Sequence, residues 1–158
     1  MAPSSIFKRF NFTALVAIIV ARFSRWLNSP CPLILPDGQR QSSQWIGAYG
    51  ENVAIDWLRA KRITILARNY RGPNRGEVDI IARDGKLLLF IEVKTRQSNT
   101  RIRPYLAVTR KKQELIERGA NAWLHALGTR RLPWRFDVIE VLLEHQSLPK
   151  VNHIRDAF

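Results

Sequence analysis

The chain has 158 residues, 46% of them hydrophobic, with 26 Lys and Arg against 13 Asp and Glu, a formal net charge of 26 − 13 = +13. That length fits one cored domain better than two, and the hydrophobic content excludes wholesale disorder, which needs low hydrophobicity together with high charge. The single cysteine, Cys31, excludes an intramolecular disulfide framework and any zinc site built from several thiolates, and it points to a reducing, cytoplasmic setting.

Residues 1–44 differ from the rest. Lys8 and Arg9 precede an apolar run from Phe12 to Ala21, broken only by Thr13, and Arg22 and Arg25 follow. The outline is that of a signal peptide, but Arg22 comes at once and no small-x-small cleavage site is present. The run also falls short of the roughly 20 apolar residues that span a bilayer. Residues 28–44 are rich in Pro, Ser and Gln and read as a linker. The expectation over 1–44 is a poorly ordered or loosely docked helical extension, of the kind an upstream start adds, with a peripheral membrane contact as the minor alternative. Cys31 stands between two prolines without a His or Asp neighbour and is assigned no chemistry.

Residues 45–158 form the expected domain. Ile46, Tyr49, Val53 and Trp57 recur at spacings of three and four, which predicts a helix from Gln44 to about Arg62. Gly47 and Gly50 weaken it by up to ~1 kcal/mol each relative to Ala, and such glycines often mark close approach of another backbone. Ile63 to Tyr70 reads as a strand, 71–76 as a loop, Val78 to Arg83 as a second strand, and Asp84-Gly85 as a hairpin turn. Lys86 to Lys94 is a third strand with apolar residues on both faces, hence central and covered on both sides. Thr109 caps a second helix that runs to about Leu127, with Val108, Leu115, Ala122, Trp123 and Ala126 as packing positions and Gly128 as its stop. Trp134 to Leu143 is a fourth strand and Val151 to Ile154 a short last one. The order α-β-β-β-α-β predicts an α/β fold, a hairpin-containing mixed sheet flanked by helices.

Within this frame a few charges stand where they should not. Glu92 and Lys94 share one face of the third strand, at the end of an apolar run, and Asp79 interrupts the second strand between Val78 and Ile80. The short turn makes these strands antiparallel, so the two carboxylates can lie on neighbouring strands. Buried charges are costly unless paired or bound to metal. Two oxygen ligands and a lysine make a Mg²⁺ site that keeps several waters, able to activate one of them against a phosphodiester. The competing reading is a salt-bridged strand end.

The cations point the same way. From Lys94 to Lys112 the basic residues are Lys94, Arg96, Arg101, Arg103, Arg110, Lys111 and Lys112, and no acid intervenes. The stretch is either a solvated face or a phosphate-contacting stripe, and its place directly after Glu92 and Lys94 favours the stripe. A +13 surface suits a polyanion, of which nucleic acid is the commonest. Thr95 and Arg96 stand where they could meet a bound strand. Glu77 shares a strand face with Asp79 and reads as a solvent-exposed strand start. Asp137 reads as structural, paired with a local Arg. His125, His145 and His153 share no metal-ligand spacing and read as surface residues, and the five Trp read as core. No motif for a small-molecule cofactor is present.

Gly47-x-x-Gly50-Glu51, Asn69-Tyr70-Arg71, Gly76-Glu77-Val78-Asp79-Ile80-Ile81-Ala82, Phe90-Ile91-Glu92-Val93-Lys94-Thr95-Arg96 and Arg135-Phe136-Asp137-Val138 occur in this order. As a set, over about residues 45–158, they resemble the YraN family of small bacterial proteins. More distantly the chain is similar to Holliday junction resolvases and the wider PD-(D/E)xK nuclease superfamily. The resemblance implies a restriction-endonuclease-like core and a nuclease dependent on Mg²⁺ or Mn²⁺ that acts on DNA, branched or junction forms included. It places metal binding on Asp79 and Glu92 and assistance to the attacking water on Lys94. The resolvase-like branch adds a helix glutamate, here Glu51, as a further metal ligand. Val78 departs from the superfamily pattern, which has Pro there. The resemblance also suits a two-fold homodimer. Because a fold does not certify an activity, a non-catalytic nucleic-acid-binding protein on the same fold is the alternative.

Overall fold

The computed structural model describes residues 25–98, 108–128 and 131–158; the apolar run Phe12–Ala21, Arg101 and Arg103 lie outside the described residues. Ser42 opens the first helix, α1 (Ser43–Ala60), its hydroxyl accepting the Trp45 N–H at 3.1 Å. The helix buries Tyr49, Val53, Ala54 and Leu58 along one stripe. The strands follow as β1 (Thr64–Arg71), β2 (Glu77–Asp84) and β3 (Leu87–Gln97), then α2 (Arg110–Ala126), β4 (Trp134–Leu143) and β5 (Lys150–Ile154). Their spatial order equals their chain order, β1-β2-β3-β4-β5. Every pairing is antiparallel except β3 with β4, which is parallel. A parallel neighbour needs a crossover connection, and α2 lies in it. The fold is therefore α/β, a five-stranded mixed sheet between two helices.

β3 is the central strand. Leu89 and Ile91 join the core on the α1 side, with Val53, Leu58, Ile80 and Ile139, while Leu88 and Phe90 join the core on the α2 side, with Ile81, Ile116, Leu124 and Val138. β3 extends to Gln97, past the Lys94 end expected from sequence, because Thr95, Arg96 and Gln97 pair with Val141, Leu142 and Leu143. On α2 the buried face is Ile116, Gly119, Ala120 and Leu124, not one centred on Leu115 and Ala122. The reason is a backbone contact: a Cβ on Gly76 would come within 2.6 Å of the Gly119 N, so the helix turns its glycine to the sheet. Gly50 likewise lies against Thr95, where a side chain would overlap, whereas Gly47 has nothing within 4 Å.

The segment expected as a linker carries structure of its own. Cys31 and Leu33 belong to the α1-side core, Cys31 N–H donates to the Ser147 carbonyl at 2.9 Å, and the Trp26 N–H donates to Asp56 at 2.9 Å. Two aromatic and imidazole assignments change. Trp134 is 43% exposed, so it is not a core residue, although Trp26, Trp45, Trp57 and Trp123 pack against the two cores. His153 is not a surface residue: its side chain is 5% exposed, bonded to Asp137 and edge-on to Trp57. No helix among the described residues is long and apolar enough to cross a membrane.

Candidate active site

The β2–β3 ladder ends at Ile80 opposite Ile91. One step further the two strands present Asp79 and Glu92, and the ladder is closed by a side chain: Asp79 Oδ2 accepts the Val93 N–H at 2.8 Å. The two carboxyls are close enough for the Glu92 charge to bear on Asp79. Burial pushes the Asp79 carboxyl up to about 7, and the Glu92 charge adds to the rise; the Val93 N–H and Lys112 oppose it. Glu92 is 2% exposed.

Two lysines close over this pair. Lys94 Nζ donates to Glu92 Oε1 at 2.6 Å, from the next residue on the same face of β3. Lys112 Nζ lies 2.6 Å from Glu77 Oε1 and 3.2 Å from Glu92 Oε2. Thr109 caps α2 and sets Lys112 in its first turn, where the helix dipole disfavours a cation. The two carboxylates offset that penalty, so the misplaced charge has a local cause. Glu77, expected as an exposed strand start, is half-buried and bonded to both Lys112 and Arg71. Arg110 and Lys111 beside Lys112 are exposed.

Asp79, Glu92 and Lys94 thus meet in one cluster. Glu51 does not join it. Its carboxylate accepts from Asn69 Nδ2 at 3.1 Å, and it lines a cleft of about 450 Å³ with Arg40, Gly47, Val93, Thr95 and Arg96. Val93 and Thr95 alternate with Glu92 and Lys94 along β3, so Glu51 stands on the α1 side of the strand. Among the described residues no group of three or more His, Cys, Asp or Glu is placed to hold a metal ion. Asp79 and Glu92 offer two carboxyls as oxygen donors, with Glu77 joined to Glu92 through Lys112. The Asp79–Glu92 pair could hold a hydrated divalent cation that brings several of its own waters.

The sequence reading passed over two buried acids, Asp56, which accepts from the Trp26 N–H, and Glu140. Glu140 lies on β4 with Lys94 as its cross-strand partner, and it is 6% exposed. Its Oε2 accepts from Asn152 Nδ2 at 3.0 Å, and its Oε1 is buried with no hydrogen-bond partner. The signal was present: an acid inside an apolar strand, the same sign that marked Asp79. The other buried acid of β4, Asp137, is structural as expected, but with more partners than one arginine. Arg135 Nε, His153 Nε2 and the Asp156 N–H all reach it, at 2.8, 2.7 and 3.0 Å. Burial alone would raise its carboxyl, yet these bonds outweigh burial and hold it below the usual range.

The sequence profile of the family described as "Uncharacterised protein family UPF0102" matches residues 50–141, a stretch that contains Glu51, Asp79, Glu92, Lys94 and Glu140. A UPF0102 protein of Geotalea uraniireducens is 40% identical over 119 residues, 75% of this chain and 93% of that protein. One from Chlorobaculum tepidum is 48% identical over 120 residues, covering 73% and 92%. A third, from Geobacter sulfurreducens, is 44% identical over 113 residues, covering 72% and 88%.

Proposed function

The chain belongs to the UPF0102 family, and on that footing we propose that it is a metal-dependent nuclease that hydrolyses a phosphodiester of DNA, branched or junction forms included. The observation that carries the reading is the Asp79–Glu92 pair. Two carboxyls pressed together on adjacent strands, beside a lysine, serve no packing purpose in a sheet otherwise apolar at its centre. The α-β-β-β-α-β order is also the one that PD-(D/E)xK nucleases share. Mg²⁺ or Mn²⁺ bound by Asp79 and Glu92 would supply an activated water and neutralise charge on the phosphate. The chain's own groups do the rest. Lys94, anchored on Glu92, holds a cation where the attacking water and the phosphate meet. Exposed Arg110 and Lys111 at the start of α2, with Arg71 beside Glu77, supply sequence-independent phosphate contacts that orient the strand.

A specific observation favours a second reading, a non-catalytic nucleic-acid binder. Lys94 and Lys112 already neutralise Glu92 without any metal. The two readings separate in one assay, with linear, nicked and four-way DNA incubated in Mg²⁺ or Mn²⁺. The nuclease reading expects cleavage by the unaltered protein and a loss of about a hundredfold or more in Asp79→Asn and Glu92→Gln. Salt-sensitive binding with no cleavage of any substrate would establish the binder instead.

A further inference from the structure

A buried carboxylate oxygen without a partner is rare and costly, and it calls for a proton, a water or a cation in some state of the protein. Glu140 Oε1 is such an atom, while Oε2 of the same group is oriented by Asn152 on β5. Across the β3–β4 pairing its partner is Lys94, so the two side chains leave neighbouring strands on the same face. Lys94 is now engaged elsewhere, on Glu92. That engagement has a consequence for the proposed site. With Lys94 on one oxygen of Glu92 and Lys112 near the other, the carboxylate is held on both sides by ammonium groups. A divalent cation placed on Asp79 and Glu92 would face those charges at close range. Relief requires that an ammonium move and that somewhere receives it. Lysine has the means, a compact charge on a flexible four-carbon stem.

Resting on the nuclease reading above, we propose that Glu140 is a positioning residue, the second seat of the Lys94 ammonium. Lys94 stands on Glu92 without a divalent cation and passes to Glu140 Oε1 when one is held by Asp79 and Glu92. Asn152 keeps the receiving oxygen aimed, and the transfer leaves Lys94 beside the cation site while freeing Glu92 Oε1. No bond is made or broken other than hydrogen bonds. Lys112 has a different fixed partner, Glu77, which marks Lys94 as the one that moves. Arg96, two residues further on the same face and lining a cleft with Glu140, is the rival cation.

The test is Mg²⁺ and Mn²⁺ binding by calorimetry to the full chain and to Asp79→Asn, Glu140→Gln, Lys94→Met and the Glu140→Gln/Lys94→Met double variant. Glu140→Gln keeps the size of the group and the Asn152 bond but offers Lys94 no charge. We expect binding about tenfold weaker in Glu140→Gln, and no further loss from that change once Lys94 is Met, since the seat then has no occupant. In the unaltered chain, labelled at lysine nitrogen, Mg²⁺ should shift the Lys94 ammonium resonance, identified by its absence in Lys94→Met. This second readout serves if Glu140→Gln does not fold. Cation binding that is equal in Glu140→Gln and the unaltered chain would overturn the seat and leave the metal site standing. So would a Glu140→Gln loss that persists in the Lys94→Met background, which would assign the seat to Arg96, or a Lys94 resonance unmoved by Mg²⁺. Absence of cation binding in the unaltered chain, indistinguishable from Asp79→Asn, would overturn the metal site itself and the seat with it.

Discussion

Asp79 shows how much one residue's environment decides. Its carboxyl titrates near 7 because burial and the neighbouring Glu92 both penalise the charge, so the folded chain holds a proton that the unfolded chain releases near 4. The stability from this group is complete below the unfolded value and is lost as pH rises through about 7. Urea unfolding without divalent cations should therefore show stability declining from pH 5 to pH 8. Asp79→Asn, neutral throughout, should flatten that decline; an identical slope in both proteins would show that the carboxyl is not held protonated. The position of Asp79 beside Glu92 was legible in sequence, because antiparallel pairing across a short turn fixes who stands opposite whom. Glu140 carried the same mark and was missed, since its meaning depends on β4 lying parallel beside β3. Parallel pairing is a non-local fact that no turn announces. Glu51 stands apart from the pair for a related reason. Helical spacing placed it near the sheet, but which side of β3 it meets depends on how α1 docks.

At the scale of elements, the same division between local and distant information recurs. Among the described residues, both α-helices and all five strands were legible from periodicity, caps and turn residues, each a local signal. The docking of Cys31 and Leu33 was not, because the residues that receive them include Ser147, more than a hundred positions away, and the Pro-rich composition read as linker. The far edge of the sheet depends on another distant set. Asp137 joins Arg135 on its own strand, His153 on β5 and the Asp156 N–H beyond it, so it pins β5 and the C-terminal residues to β4. Removing one partner of a buried, bonded charge set is costly, about 3 kcal/mol, because the others stay buried without it. Asp137→Asn should lose about that much in urea unfolding near neutral pH. The pH dependence runs opposite to that of Asp79. A lowered carboxyl stabilises above its unfolded value and loses that contribution as pH falls through its folded value, so the gap between the two proteins should close in acid. A constant gap would show that the lost stability came from packing alone.

For the whole molecule, the relevant contrast is between a strongly cationic chain and the few acids gathered within it. The +13 excess is spread along the chain, so it favours association with polyanions in general and does not select among them. Glu77 and Glu92 work against that attraction, since their charge has the sign of phosphate, and Asp79 joins them once it has lost its proton above about pH 7. A protein that only held phosphate would bind better without them. This yields a measurable separation of roles at the scale of the complex. Each phosphate neutralised by a surface cation adds about 0.9 to the slope of log affinity against log salt. Replacing Arg71, Arg110 and Lys111 together by Ala should therefore lower the slope by about 2.7 and weaken binding to every DNA form by a similar factor. Asp79→Asn should leave that slope unchanged and bind DNA as tightly as the unaltered chain, or more tightly, in the absence of divalent cations. Fluorescence anisotropy with labelled duplex and four-way DNA from 50 to 200 mM salt would measure both. If the triple variant kept the full slope, the strand would lie elsewhere on the surface, and the cluster at the end of the β2–β3 ladder would lose its claim to the substrate.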